Sequence, residues 1–293
     1  MSLVFIIGTG RCGSSFIHEV LSKHEDVGFI SNIEDRFFRL NLKGRYNNSL
    51  FRSALGNYTV KGRIRFAPSE AYNLIAKQVS PIYQNSSRNL EASDVTPWLK
   101  SRFQKFFLDR QICQGKKVFS HKFTGWSRLG FMNEIFPDAH FIHIVRDGRA
   151  VANSWLQMPW WGGYRGPENW LWGELADAYQ KEWNGAERSY TLLAGIAWKL
   201  LLESYEEGLK EIEKERYLTI KYEDFVDNPK NEMTKILNFI NLEWSLGFEQ
   251  QFNKQHIKSS RRQAFEKELT GFQLAEIEQS LEKKLLKYGY YGN

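Results

Sequence analysis

The apolar positions of this chain follow two rhythms. Leu3 to Ile7 is an uninterrupted run rich in β-branched residues, and after a glycine-dense gap Phe16, Ile17, Val20 and Leu21 recur at the three- and four-residue steps of a helix. A run followed by such a stripe predicts strand, turn, helix. The same grammar returns much later: "HFIHIV", residues 140 to 145, reads as a buried strand, and Ala150, Val151, Trp155 and Met158 trace a helix behind it. Lys117 to Phe123 predicts a further strand, followed by a helix through Leu129, Met132 and Ile135 that stops before Pro137. "YLTIKY" is another strand, while Leu201, Tyr205, Leu209 and Ile212 share one helical face and Leu274, Ile277, Leu281, Leu285 and Tyr288 share that of a terminal helix. Strands alternating with helices predict an α/β fold with a central parallel sheet flanked by helices, and residues 1–293 read as one domain. Residues 36 to 115 give the weakest pattern, with "FQKFFLDRQI" the clearest helix.

Composition narrows the picture. The chain has 293 residues, 42% of them hydrophobic and 25% charged, which is enough to bury a substantial core and excludes wholesale disorder. Its formal charge of +6 favours anionic ligands without specifying a fold. Cys12 and Cys113 are too few for a zinc or disulfide framework, so no metal is expected and reduced, cytoplasmic thiols are the default. No apolar run approaches the roughly 18 residues of a membrane span, and no basic and aromatic stretches coincide in a nucleic-acid module.

The glycine-dense gap, "GTGRCGSS", carries the first candidate chemistry. Gly8, Gly10 and Gly13 satisfy a dinucleotide pattern, but a second strand ending in an acidic residue about 20 positions on is poorly supported by "VGFISN". A magnesium-dependent NTPase or kinase loop would need lysine where Ser14 stands. A loop that only packs a helix against a sheet has no use for Arg11, Ser14 and Ser15 at a helix N-terminus whose free amides already attract anions. A fourth reading binds a phosphosulfate through amides and hydroxyls. A non-catalytic anion binder remains a further alternative.

"FIIGTGRCGSSFIHEVLSKHEDV" resembles the 5′-phosphosulfate loop and helix of the sulfotransferase family, which uses 3′-phosphoadenosine 5′-phosphosulfate (PAPS). "IVRDGRAVANSWL", residues 144 to 156, is similar to that family's 3′-phosphate element, in which an arginine ending a strand and a serine eight residues on clamp the extra phosphate. The resemblance implies a P-loop-like sulfotransferase architecture. It assigns Arg11, Cys12, Gly13, Ser14 and Ser15 to the phosphosulfate, and Arg146 and Ser154 to the 3′ phosphate. "YLTIKYEDFVDNP" resembles the family's strand and turn beside adenine, making Tyr222 a stacking partner or else a core tyrosine. "KSSRRQAF" resembles its basic segment over the 3′ phosphate, so Arg261 and Arg262 are donor ligands or else a basic surface. Arg149 is assigned to a carboxylate partner.

In "SHKFTGW" the resemblance implies an active-site strand, with Lys122 as the cation near the bridging oxygen and His121 as a second candidate. Strand alternation sends the two side chains opposite ways, so both reach one site only if the strand ends there. Some branches of the family carry a glutamate base after the first helix. Here Ser31 and Asn32 occupy that place and Glu34 is the nearest replacement, with helix capping or a surface charge as its other reading. The matched stretches leave 28–116 and 159–200 for acceptor specificity, and the tryptophan-dense stretch "WLQMPWWGGYRGPENWLW" reads as an acceptor lid or as an aromatic subcore. A small-molecule or carbohydrate acceptor is expected; the oligomeric state is left open.

Overall fold

Five strands, Ser2–Gly8 (β1), Val27–Phe29 (β2), Val118–Thr124 (β3), His140–Val145 (β4) and Tyr217–Lys221 (β5), form one sheet in the order β2-β3-β1-β4-β5, every neighbouring pair parallel. The computed structural model describes residues 2–40, 42–53, 66–255 and 262–291. The sheet is covered on both faces, which is why its central strands read as unbroken apolar runs. Phe5, Ile7, Phe119, Phe123 and Phe141 point to a layer containing Phe103, Phe107 and Phe131. Val4, Ile6, Ile142, Ile144 and Ile220 point to the opposite layer with Ile17, Val20, Leu21 and Phe225.

Each predicted unit is present, with shifted ends. The first helix spans Ser14–Leu21 and the helix after β4 spans Gly148–Leu156, so Met158 lies beyond it. The long helix Tyr190–Lys210 stops before Ile212, and Tyr222 is the first residue of the short helix Tyr222–Asp227 rather than the last of β5. "FQKFFLDRQI" sits inside Pro97–Gln114, which Thr96 caps, Pro97 begins and Gly115 ends in the left-handed conformation. "VGFISN" supplies the edge strand β2, short enough to escape a periodicity test.

A third apolar cluster touches the sheet at Val145, the last residue of β4. There the Tyr190–Lys210, Gly148–Leu156 and Gly271–Lys287 helices meet around Trp198, and Trp155, Trp161, Trp170 and Trp172 pack in the same cluster. Among the described residues no helix is long and apolar enough to cross a membrane.

Candidate active site

In an all-parallel sheet the carboxyl ends of the strands share one edge. Here the chain leaves β1 for β2 and β3 on one side and then crosses to β4 on the other, so a crevice opens at the carboxyl end of β1, the usual ligand position in open α/β sheets. A cavity of about 750 Å³ occupies it.

The glycine loop forms one wall. It begins where Tyr205, fully buried, bridges the end of β1: its hydroxyl donates to the Gly8 carbonyl at 2.8 Å and accepts from the Gly8 amide at 3.1 Å. The backbone then turns through positive φ at Gly10 (86°), Arg11 (55°) and Gly13 (91°) and enters the Ser14–Leu21 helix. Gly13 serves two needs at once, since a Cβ there would also lie 2.1 Å from the ring of Tyr222. With no side chain capping that helix, its first amides stay available to an anion. Arg11, Gly13, Ser14 and Ser15 line the cavity. Cys12 does not: its side chain is buried under the loop in the layer of Ile6 and Ile144.

The opposite wall comes from the end of β4. Arg146 lies over the Tyr222 ring, 4.7 Å from its centroid, and donates to the Arg11 carbonyl at 2.9 Å. Arg11 Nε donates in turn to Ser154 Oγ at 2.9 Å. Arg146, Ser154 and Tyr222 all face the cavity. Arg149 is engaged elsewhere, 2.7 Å from both Asp147 and Glu278, which matches its assignment to carboxylates.

Register settles the pair on β3. Lys122 stands opposite Ile6 and His121 opposite Phe5, and these belong to the two different layers. Lys122 therefore turns toward the first helix, where Nζ donates to Ser15 Oγ at 2.6 Å and lies 3.0 Å from a Glu70 oxygen. A lysine from a neighbouring strand thus reaches the loop that has none of its own. His121 turns the other way, into the rings of Phe5 and Phe107. Burial, with the charges of Lys122 and Arg110 behind it, pushes its pKa down to about 3. The structure does not bring His121 to the cavity.

Nor does it bring Glu34 there. Glu34 closes a reciprocal capping box with Ser31, accepts from Asn47 and lies 3.6 Å from buried Arg110. Burial raises its carboxyl above the usual range, against the opposing pull of Ser31, Asn47 and Arg110. This is a structural carboxylate, as the capping alternative had it. Arg262 pairs with Asp227 at 2.7 Å rather than lining the cavity, although Phe265 nearby does line it, and Arg261 lies outside the described residues.

A family model described as "Sulfotransferase family" matches residues 3–245. The chain belongs to the sulfotransferase family. Sulfuryl transfer is that family's chemistry. A Drosophila melanogaster protein named protein-tyrosine sulfotransferase is 28% identical over 250 residues, covering 84% of this chain and 39% of that protein, so the chain spans well under half of its relative. Among solved structures, the sulfotransferase domain from the curacin biosynthetic pathway superposes with a TM-score of 0.54 at 15% identity, over 96% of this chain and 97% of that one. A Mycobacterium avium sulfotransferase gives 0.52 at 15% identity, over 96% and 76%. At such identities these two speak for the fold alone, and they agree with the parallel-sheet, helix-flanked architecture.

Two features of this sulfotransferase-family site were not legible in its motifs. Glu70 lines the cavity beside Lys122 and accepts from Thr124 Oγ1 at 2.7 Å. Next to it Tyr72 is half-buried, and desolvation of its hydroxyl, with Glu70 adding, raises its phenol to about 12. The tryptophan-dense stretch, moreover, divides between subcore and cavity wall. Trp161 and Trp170 are subcore, Trp155 and Trp172 are buried yet present edges to the cavity, and Trp160 and Leu171 stand exposed at its mouth.

Proposed function

We propose that this chain transfers a sulfuryl group from PAPS to a hydroxyl or amine of a small-molecule or carbohydrate acceptor. One observation carries the reading: the phosphosulfate candidates Arg11, Gly13, Ser14 and Ser15 and the 3′-phosphate candidates Arg146 and Ser154 wall a single cavity, with Lys122 between the loop and the rest. The residues fit the donor. Helix amides and two hydroxyls suit a phosphate, the Arg146 fork suits a second one, and the Tyr222 ring offers a face for a base. The donor itself supplies the S–O–P linkage.

In the step, the acceptor oxygen or nitrogen forms a bond to sulfur while the bond from sulfur to the bridging oxygen breaks. The electron pair leaves with the 5′ phosphate, and the acceptor's proton passes to a base. Charge gathers on the bridging oxygen, so a cation already aimed there lowers the barrier. Lys122, held by Ser15 Oγ, has that position in this reading, with Arg11 on the same side. Alignment of the in-line partners supplies much of the remainder.

Residues 28–116 and 159–200 are assigned to acceptor specificity, supported by Glu70, Tyr72, Gln84 and Ser86 from the first and Trp160, Leu171 and Trp172 from the second at the cavity wall. That lining suits an acceptor with an apolar or aromatic body around its nucleophile. The name of the fly relative adds a tyrosyl phenol to the acceptors to be tried.

Calorimetric titration with 3′,5′-adenosine bisphosphate against 5′-AMP tests the reading. Clear preference for the bisphosphate is expected; equal affinity, or none for either, overturns it.

A further inference from the structure

We infer that Glu70 is the base that takes the acceptor's proton, and that the donor itself sets it free by drawing Lys122 away. This rests on the sulfuryl-transfer reading. Among the described residues that wall the cavity, Glu70 is the sole carboxylate and there is no histidine. The two base candidates named from the sequence are both committed elsewhere, His121 among phenylalanines and Glu34 in a capping box.

Glu70 is also placed with some rigidity. The segment before it is tied to the end of β2 by a bridge between Ser31 and Pro68, by the Asn32 amide to the Ala67 carbonyl at 2.9 Å and by the Ser69 amide to the Ile30 carbonyl at 2.8 Å. Chain distant from the first helix thereby lies against the position where Ser31 and Asn32 offer no carboxylate. Thr124 Oγ1 then fixes one Glu70 oxygen at 2.7 Å, and Lys122 Nζ lies 3.0 Å from the same atom.

Without the donor, Lys122 is shared between Glu70 and Ser15, so the cation sits on the carboxylate oxygen that a proton would need. A phosphosulfate seated on the loop offers Lys122 a stronger counter-charge beside Ser15. Once Lys122 turns to it, that Glu70 oxygen keeps only Thr124 of these two partners and is open to the acceptor's hydroxyl. The acceptor O–H then transfers its proton to Glu70 as its oxygen bonds to sulfur, and the bridging oxygen leaves toward Lys122. A base made competent by the donor implies that the donor binds before a productive acceptor.

Glu70→Gln tests this with two readouts. By calorimetry the variant should keep 3′,5′-adenosine bisphosphate, bound as well as by the wild type or up to about fivefold tighter because Lys122 is no longer paired. Transfer from PAPS is then measured to phenol, to tyrosine and to 4-nitrophenol, which is already ionised at pH 8. A loss of about 10²- to 10⁴-fold is expected with the first two and only a few-fold with the third. An equal loss for all three, a wild-type rate, or failure to bind the bisphosphate overturns the role of Glu70. A wild type that binds the bisphosphate yet transfers to none of the three overturns the transfer reading, and the base with it.

Discussion

Arg11 and Ser154 are 143 residues apart in the chain, and the Arg11 Nε donates to the Ser154 Oγ at 2.9 Å. The loop after β1 and the helix after β4 thus touch at their tips. Arg146 reinforces the junction by donating to the Arg11 carbonyl, so an anion entering here meets both corners at once.

The second corner should discriminate the bisphosphate from 5′-AMP. Arg146→Ala is expected to weaken 3′,5′-adenosine bisphosphate binding by roughly 10- to 100-fold, the worth of charge-assisted hydrogen bonds, while 5′-AMP binding changes far less. Arg146→Lys should recover little, because an ammonium lacks the two-pronged fork and stacks less well on Tyr222. Calorimetry reads both; equal losses for the two nucleotides would remove Arg146 from the 3′ phosphate.

Gly13→Ala is expected to cost about 1–3 kcal/mol of stability, since an alanine at φ 91° is strained and its Cβ would meet the Tyr222 ring. Trimming the ring in Gly13→Ala/Tyr222→Ala should return part of that loss and none of the donor affinity. Thermal unfolding, with bisphosphate titration alongside, separates the two effects. No recovery in the double variant would show that the contact is not the cause.

Tyr205→Phe keeps the ring stacked on His143 and deletes the one hydroxyl that serves both Gly8 groups. Leaving those buried groups short of partners should cost about 1–3 kcal/mol and weaken bisphosphate binding, because the loop starts at Gly8. A variant with wild-type melting temperature would refute the anchor.

Stability should fall on mild acidification. Burial holds His121 at about 3 and His143 at about 4, and it pushes His18 down as well. These groups stay neutral when folded but take up protons near pH 6.5 when unfolded, so the unfolded state binds more protons and stability drops as pH falls from about 6.5. Each contributes a slope of up to about 1.4 kcal/mol per pH unit over that window. Melting temperature measured from pH 8 to 5 should show the decline, and His121→Phe, among the rings of Phe5 and Phe107, should flatten it. An unchanged slope in that variant would mean His121 is not a source.

What could be read early and what could not divides along a physical line. The Gly8–Ser15 loop and the Arg146–Ser154 element were legible because each is one strand-turn-helix unit, with the needed residue types inside about a dozen positions. The capping role of Glu34 was legible too, from serine followed three residues later by glutamate. Strand alternation said that His121 and Lys122 part company but not which of them faces the loop. That choice depends on which layer packs behind β3.

The sequence alone therefore determined the α/β alternation, the two strand-turn-helix corners and the family, since these follow from short-range periodicity and motif spacing. Only the tertiary structure decided that both corners open into one cavity, that Lys122 enters it while His121 does not, and that Glu70 and the Trp160 and Trp172 rims complete it. Those facts come from strand order and from backbone pairings such as Ser31 with Pro68, contacts between distant segments that leave no periodic trace in either partner.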